Sequence, residues 1–399
     1  MAPPLDGLTV VDFSHALAGP YCTMLMAAYG ARVFKIEGVD TGDMGRTWGP
    51  PFLGGESCYF LGLNAGKRAL AIDGKHPRGR ELCRELAAQA DILVENMRPG
   101  AMERLGLSYA ALEPLNPRLV YCSISGFGQN GPARDDAAMD LILQAASGLI
   151  SVTGTPDGDL VRCGHSVADV TAGMFALIGV LMALRAREQT GRGQWVDVAM
   201  FDGMISAMAS NYAQFLGSGE IPRPMGTGFA TIVPYACFPT ADRPIAIAVA
   251  SESLWRRFCL ALAREDWLAD PRLSTNALRV KHRGWFEPEL TAMLRLRPAE
   301  EWVAVLGAAG VPCSPVRNMA EVKAHPQAAA RGMFPVTEHP KAGPVTVTGL
   351  PVKMEGAGGM PLSAAPLPAQ HTCEALTELL GLSAADLDAL LAEGVIRQA

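Results

Sequence analysis

Apolar positions occur in short blocks through the first half of the chain, and the blocks predict strands and helices in alternation. Continuous apolar runs with β-branched residues are typical of buried strands, and longer apolar stretches with helical spacing are typical of helices. The predicted strands are 8–13, 32–37, 69–73, 91–95, 118–124 and 195–200. The predicted helices are 19–28, 77–90, 138–149, 168–189 and 201–216.

This alternation predicts the α/β class, with a Rossmann-like, mostly parallel sheet covered by helices on both faces. Ligands of such sheets bind outside the carboxyl ends of the strands. Polar segments follow three predicted strands, at 12–15, 95–97 and 125–128. We therefore expect these segments to converge on one crevice.

The sequence changes character at residues 217–224, which are rich in glycine and proline and predict a linker. Residues 1–216 are then the first part of a large domain, and 225–330 form a small α+β domain. This small domain has a strand at 245–250 and helices at 253–264 and 298–309. Residues 331–399 return to the large domain through a strand-like run at 345–352, a stretch rich in glycine, proline and alanine at 355–370, and two short helices.

Composition limits the function classes. The chain has 399 residues and a formal net charge of −6, so general affinity for nucleic acid or anionic membranes is not expected. Nine scattered cysteines without a C-x-x-C pair favour a reducing cytoplasm and argue against structural zinc. The apolar run 172–185 is interrupted by Gly173 and Gly179 and predicts a buried helix. The amino terminus lacks the basic region of a signal peptide.

Asp169 is the first candidate for chemistry, because it lies where a glycine-containing loop meets a strongly apolar helix. A half-desolvated carboxylate is a stronger nucleophile and a more easily perturbed acid. The alternative is a capping box, in which Ser166 and Asp169 satisfy the first turn of the helix. This segment alone does not decide between the two.

Other site types receive less support. The first β-α turn has one glycine and a proline where a dinucleotide fingerprint needs three glycines. The nucleophile elbow of serine hydrolases is missing after the strand at 118–124. His15 and His165 lie in loops, and no histidine–acid grouping suggests a metal. Lys67, Arg68, Arg98 and Arg104 follow strand ends, where a phosphate-bearing ligand would need two or three cations.

Taken together, the segments resemble one known family, the family III CoA-transferases, which includes formyl-CoA, carnitine and dicarboxylate CoA-transferases and α-methylacyl-CoA racemase. The resemblance covers essentially the whole chain. It rests on residues 5–20, 33–37, 42–51, 63–68, 94–100, 126–132, the helix containing Asp169, and 190–194, 231–235 and 310–316.

The resemblance implies that Asp169 is the nucleophile, passing through an aspartyl anhydride and an aspartyl-CoA thioester. By position, the thioester end of CoA would be lined by His15, Ala16, Leu17 and Ala18. The adenosine and phosphate end would be held by Lys67, Asn96, Met97, Ala101 and Arg104. Asp140 matches an acidic position near the reacting carboxylate.

Three departures from the family narrow the activity. Leu17 replaces the glutamine of formyl-CoA transferases, and Met139 replaces the histidine of the base pair of the racemases. Residues 250–255 replace the glycine run that covers the nucleophile in formyl-CoA transferases. The departures disfavour formyl transfer and racemisation, and they leave the lid unassigned.

Residues 46–52 and 226–235 look most like members that use succinyl-CoA with dicarboxylates. We therefore expect CoA transfer from succinyl-CoA to a small dicarboxylic acid, with CoA as substrate and no metal or redox cofactor. Arg46 is the candidate for the remote carboxylate, with Arg162 or His165 as alternatives and Met139 and Asp140 nearby. A structural role for Arg46 is an equal alternative.

The resemblance also implies an interlocked homodimer. Three alternatives in function stay open at this point. They are an acyl-CoA racemase or a CoA isomerase of the same fold, a silent acyl-CoA-binding paralogue and, more remotely, a hydride-transfer enzyme.

Overall fold

The computed structural model describes residues 2–355 and 363–399. The chain divides into two compact units, the first comprising 1–149, 163–220 and 326–399 and the second 150–162 and 221–325. Residues 150–162, which the sequence analysis placed in the large domain, therefore belong to the second unit. Residues 356–362 of the stretch rich in glycine, proline and alanine lie outside the described residues.

The first unit begins with β1 (Thr9–Asp12), α1 (Ala18–Ala28), β2 (Arg32–Glu37), β3 (Phe52–Leu53), β4 (Glu56–Ser57), α2 (Cys58–Leu63), β5 (Arg68–Ile72), α3 (Pro77–Gln89), β6 (Ile92–Glu95), α4 (Ala101–Arg104), α5 (Tyr109–Leu112), β7 (Val120–Ser125), α6 (Asp140–Ala146), α7 (Val167–Thr190), β8 (Trp195–Ala199), α8 (Met200–Ala207) and α9 (Ala209–Ser218). Short 3₁₀ turns lie at Met44–Thr47 and Ile150–Val152. The helix predicted at 201–216 is therefore two helices, which meet at Met208.

The second unit contains β9 (Tyr235–Phe238), β10 (Ile245–Ala248), α10 (Glu252–Ala261), α11 (Glu265–Ala269), α12 (Asn276–Lys281), α13 (Arg283–Leu294), α14 (Ala299–Ala308), β11 (Cys313–Pro315) and α15 (Met319–Lys323). The chain then re-enters the first unit with α16 (Pro326–Ala330), β12 (Val336–His339), β13 (Gly343–Thr346), α17 (Thr372–Leu380), α18 (Ala384–Ala392) and β14 (Ile396–Arg397).

The first unit is built on a seven-stranded sheet with the order β14-β5-β2-β1-β6-β7-β8. Six of these strands run parallel, and β14 pairs antiparallel with β5 at one edge. The predicted large parallel sheet is thus confirmed. The carboxyl ends of β1, β2, β5 and β6 lie side by side, which is where a ligand crevice is expected.

Both faces of this sheet are buried. Side chains alternate along each strand, so Val10 of β1 packs on one face with α1 and α7, while Val11 packs on the other with α3 and α17. The near-continuous apolar strands in the sequence follow directly from this two-sided burial.

Helix α7 is long and apolar enough to cross a membrane by length and composition. In the first unit it packs against α1, α8, β7 and β8. Its opposite side leaves Met174, Ile178, Leu181 and Met182 between 42% and 67% exposed. These four residues form a stripe along one side of the helix. Because the opposite side is buried in the first unit, apolar residues occur on both sides of α7.

The second unit has its own core. A three-stranded antiparallel sheet, in the order β11-β10-β9, accompanies its helices. Trp255, Trp267 and Phe286 form a ring cluster with centroid separations of 5.1 to 6.4 Å. The buried Arg279 guanidinium makes two hydrogen bonds with Glu252 and lies over the Trp255 ring.

Candidate active site

Asp169 is the third residue of α7 and is half-buried. Ser166 occupies the N-cap position without a side-chain capping bond, so the capping-box interpretation is wrong. The Asp169 carboxyl makes no hydrogen bond or ion pair with any residue in the described part of the chain. Burial, assisted by the negative charge of Asp140, raises the pKa of Asp169 to about 7.

Asp140, the first residue of α6, fixes the start of α7. One carboxylate oxygen accepts from the backbone N–H of Ala168 at 3.0 Å, and the other from Gln144 Nε2 at 2.8 Å. Gln144 Oε1 in turn accepts from the backbone N–H of Cys163 at 2.8 Å. These bonds join α6 to the segment that precedes Asp169.

The turn between β1 and α1 lies next to α7, the helix that carries Asp169. A Cβ on Gly173 of α7 would fall 2.6 Å from the backbone oxygen of Ala18, so a glycine is needed for this close approach. Asp169 is one helical turn before Gly173. We call residues 15–18 the thioester turn, since these are the residues that the resemblance assigned to the thioester end of CoA.

The segments 12–15 and 95–97 converge as predicted. Asn96 Oδ1 accepts from the backbone N–H of His15 at 2.8 Å, and Asn96 Nδ2 donates to the backbone oxygen of His15 at 2.9 Å. The segment 125–128 instead packs toward α6 and α8, where Phe127 contacts the ring of Phe201. Two of the three strand-end segments are therefore directly bonded.

A hollow of about 300 Å³, called here the strand-end hollow, opens at the carboxyl ends of β1, β2, β5 and β6. Its apolar lining consists mainly of Phe13, Ile36, Ile72, Met97, Leu105 and Leu107. His15 also lines it and so connects it to the thioester turn. Glu37, Asp40 and Asp73 contribute acidic groups to the same lining.

Sequence reasoning missed two cations of this hollow, Lys75 and Arg80. Neither forms an ion pair within the residues that the structure describes. Arg104, next to lining residue Leu105, is exposed and is equally free of ion pairs within 2–355 and 363–399. The sequence contained a signal for Lys75, because this residue follows the end of β5 by three positions and ligands bind at the carboxyl ends of such strands.

The prediction that Lys67 holds phosphate is corrected. Lys67 is 2% exposed, and Nζ contacts Asp12 Oδ2 at 3.0 Å, the backbone oxygen of Pro20 at 3.0 Å and Asn64 Oδ1 at 2.9 Å. All three ammonium hydrogens have partners inside the protein. Burial opposes the ionisation of Asp12, but Lys67 and Lys35 outweigh it and hold the pKa of Asp12 well below its ordinary range.

The prediction that Arg46 binds the remote carboxylate is also corrected. Its guanidinium makes two bonds with Glu37, at 2.8 and 2.7 Å, and a third with the backbone oxygen of Pro366 at 3.0 Å. It lies over the Phe60 ring, 3.7 Å from the centroid. This planar cation is fully engaged in a structural role.

The remaining candidates lie in different places. Met139 is 62% exposed at the start of α6, and His165 is exposed in the segment before α7. Ala101 begins α4. Arg162 is exposed and belongs to the second unit.

Tyr59 of α2 is a further residue that the sequence did not reveal. Burial raises the pKa of its phenol above the ordinary range, and the negative charges of Asp169, Asp43 and Asp140 add to this. The ring packs edge-on against Trp48, with centroids 4.9 Å apart. Tyr59 and Trp48 therefore form an aromatic wall within electrostatic range of Asp169.

A half-buried acid with a raised pKa and a hollow at the carboxyl ends of the strands are both features of an α/β enzyme site. The chain belongs to CoA-transferase family III, whose family model matches residues 5–372. The protein is an enzyme with CoA-transferase activity, and the resemblance found in the sequence is confirmed.

Relatives and a solved structure agree along nearly the whole chain. The succinyl-CoA:glutarate CoA-transferase of Mus musculus is 35% identical over 399 residues, covering 99% of this chain and 91% of the relative. The acetyl-CoA:oxalate CoA-transferase of Acetobacter aceti is 38% identical over 354 residues, covering 88% of this chain and 90% of the relative. The crystal structure of a CaiB/BaiF family protein from Brucella suis matches with a TM-score of 0.86 and 34% identity, covering 95% of this chain and 100% of that one.

Proposed function

We propose that the enzyme transfers CoA from succinyl-CoA to a small dicarboxylic acid, with Asp169 as the nucleophile. The observation that carries this proposal is the position of the Asp169 carboxyl, half-buried, without a partner and beside the thioester turn. A pKa of about 7 leaves a large ionised fraction at neutral pH. The likeness to a succinyl-CoA:glutarate CoA-transferase supports this donor and this acceptor class.

The first half-reaction leaves CoA on the enzyme. An Asp169 oxygen attacks the thioester carbonyl carbon and the carbon–sulfur bond breaks. The products of this step are a mixed anhydride on Asp169 and the CoA thiolate. The thiolate then attacks the Asp169 carbonyl carbon, which releases the donor acid as its carboxylate and forms an aspartyl-CoA thioester.

The second half-reaction repeats these steps in reverse with the acceptor. Its carboxylate attacks the aspartyl thioester, and the released thiolate attacks the acceptor carbonyl of the new anhydride. Asp169 is regenerated as the carboxylate, and no net proton is taken up. The scheme therefore needs neither a general base nor a metal.

Each attack develops a negative oxygen that needs hydrogen-bond donors. The backbone N–H groups of Leu17 and Ala18 donate no hydrogen bond within the described residues. They lie at the start of α1, where the helix dipole favours negative charge. We assign them as the donors for this oxygen.

The strand-end hollow is the proposed nucleotide site. Its apolar wall suits the adenine ring, and Lys75, Arg80 and Arg104 suit the phosphates. Asn96 holds the backbone of His15 by two hydrogen bonds, and so fixes the wall along which CoA would run from the hollow toward Asp169. His165 and Arg162 stay proposals for the remote carboxylate of the acid.

We further propose that the active form is a homodimer. Besides the exposed stripe on α7, three more apolar residues are 47% to 62% exposed, namely Met139 just before α6 and Leu141 and Ile142 within it, and α6 packs on α7. Exposed apolar surface of this amount favours burial against a second copy.

The decisive experiment is mass spectrometry of the enzyme incubated with succinyl-CoA and trapped with hydroxylamine or borohydride. A modified peptide containing Asp169, missing in Asp169→Ala, is the expected result. Asp136→Asn, at an exposed carboxylate, is the matched control and should give the same adduct as the wild type. Turnover retained in Asp169→Ala, without an adduct in either protein, would exclude the proposal.

A further inference from the structure

Ala16, in the centre of the thioester turn, has a left-handed backbone conformation with φ of +63°. A residue with a Cβ adopts this conformation only when its surroundings impose it. Asn96 bonds both backbone groups of His15, at 2.8 and 2.9 Å. The backbone N–H of Ala16 donates to Asp43 Oδ1 at 3.1 Å. Two side chains from distant segments therefore hold this turn.

Asp43 is completely buried; Oδ1 accepts hydrogen bonds, and Oδ2 forms an ion pair. Oδ1 accepts from Ala16 and also from the backbone N–H of Gly45 at 2.8 Å. Oδ2 lies 2.8 Å from Lys35 Nζ, which also donates to the backbone oxygen of Ser14 at 2.6 Å. Only a carboxylate meets these demands, because an amide would turn its NH₂ group either to Lys35 or to the two backbone donors.

Asp43 also reaches the aromatic wall. Gly45 lies in the 3₁₀ turn before Trp48, and a Cβ on Gly45 would be 3.5 Å from Tyr59 Cδ1. One carboxylate oxygen thus ties the thioester turn to the segment that packs on Tyr59. A shift of about 1 Å in the thioester turn or in the aromatic wall is enough to lower the rate by a large factor.

We propose that Asp43 is a positioning residue for CoA transfer, which holds Ala16 in its left-handed conformation and so fixes the thioester turn against Tyr59 and Asp169. This inference rests on the proposed function, which places the acyl-CoA carbonyl at that turn. Asp43 acts through the backbone of Ala16 and Gly45, and it has no role in binding the nucleotide.

The test compares Asp43→Asn, Ala16→Gly and the double variant. The rate of Asp169 adduct formation from succinyl-CoA and the affinity for adenosine 3′,5′-bisphosphate are measured for each. We expect D43N to slow adduct formation about tenfold or more, with nucleotide affinity within about twofold. In the A16G background, D43N should cost less than about threefold, because glycine adopts a positive φ without the strain that Ala16 needs Asp43 to offset.

An equal loss from D43N in both backgrounds would overturn the proposal, as would a D43N rate within about twofold of the wild type. If D43N does not fold, K35M/D43N is measured instead: its amide oxygen can accept from Ala16 and Gly45 with no cation facing the NH₂ group, so the rate should stay within about threefold of the wild type. A large loss of rate in K35M/D43N that Ala16→Gly does not reduce would also overturn the proposal.

Hydrogen exchange separates this inference from the proposed function. The exchange of the peptide covering residues 13–18 should be faster in D43N and unchanged in Asp388→Asn, a control at an exposed carboxylate. An inactive wild type with this exchange pattern would refute the proposed function and keep the structural role of Asp43. Unchanged exchange in D43N would refute that structural role whatever the activity.

Discussion

The Asp140 carboxylate accepts a hydrogen bond from the backbone N–H of Ala168, the residue immediately before Asp169, at 3.0 Å. The same acid raises the pKa of Asp169 through its negative charge. Asp140 therefore has two separable effects on the nucleophile, one on its position and one on its ionisation.

The rate should follow the ionisation of Asp169. Burial, with a contribution from Asp140, raises the pKa to about 7, and only the carboxylate form attacks the thioester. Because protonation removes the nucleophile, kcat/KM should fall about tenfold per pH unit below this value and level off above it. A pH profile of kcat/KM for succinyl-CoA checks this. A flat profile between about pH 5 and 8 would contradict it.

Asp140→Asn should separate the two effects. The amide oxygen can still accept from Ala168, the bond from Gln144 Nε2 is lost, and the charge that opposes ionisation of Asp169 is gone. The midpoint of the pH profile should then move to lower pH, while the plateau rate changes by less than about tenfold. Asp140→Ala is the comparison, and it should lower the plateau because the bond to Ala168 is lost. An unmoved midpoint in D140N would refute the effect of the Asp140 charge on the ionisation of Asp169.

Arg46→Ala should destabilise the protein without changing acid specificity. Removing the guanidinium leaves Glu37 buried and unpaired, which costs about 3 kcal/mol. Urea unfolding should show this loss, and E37Q/R46M should recover much of it because neither partner is then charged. Steady-state kinetics should give an unchanged KM for glutarate. A large rise in that KM at normal stability would restore Arg46 as a substrate ligand.

Phosphate binding should depend on Arg104 and Lys75 and not on Lys67. Each charge-assisted bond contributes about 1.5–3 kcal/mol, so Arg104→Ala and Lys75→Ala should each weaken CoA binding by about tenfold or more. The loss should shrink at high salt, which screens exposed charges. Calorimetric titration with CoA provides the measurement. Lys67→Met is expected to lower the stability of the protein. Equal or tighter CoA binding in R104A would contradict the assigned site.

Met182→Glu should weaken the proposed dimer. Met182 is the most exposed residue of the α7 stripe, at 67%, and a charge there would have to be desolvated in an apolar interface. Light scattering should give twice the 42.2 kDa chain mass for the wild type and a lower, concentration-dependent mass for the variant. Met319→Glu, at a 91% exposed methionine of the second unit, is the control. A monomeric wild type at micromolar concentration would refute the dimer.

Asp169 could be selected as a candidate from the sequence because an acid at the junction of a loop and an apolar helix is a local signal, and the family resemblance gave it the role of nucleophile. The helix predicted at 168–189 is Val167–Thr190 in the structure. The strand at 32–37 also has the predicted bounds. Hydrophobic periodicity determines such elements, because both faces of the sheet are buried.

The errors concern charged residues whose role depends on distant partners. Lys67 follows a loop and looks like an available cation, but Asp12, 55 residues earlier, pairs with it in the interior. Arg46 is similarly paired with Glu37. Tyr59 had no local signal, since its electrostatic coupling to Asp169 arises only in the folded chain. A sequence pattern does not distinguish a solvated cation from one that is buried in a pair.

Strand β14, residues Ile396–Arg397, completes the large sheet beside β5, whereas the second unit is formed by residues 150–162 and 221–325. During synthesis, the second unit can therefore assemble while the edge of β5 is still uncovered. A nascent chain at that stage exposes an open strand edge, which is a site for pairing with other chains. The order in which the polypeptide is made thus leaves the β5 edge open to such pairing until residues 396–397 have been synthesised.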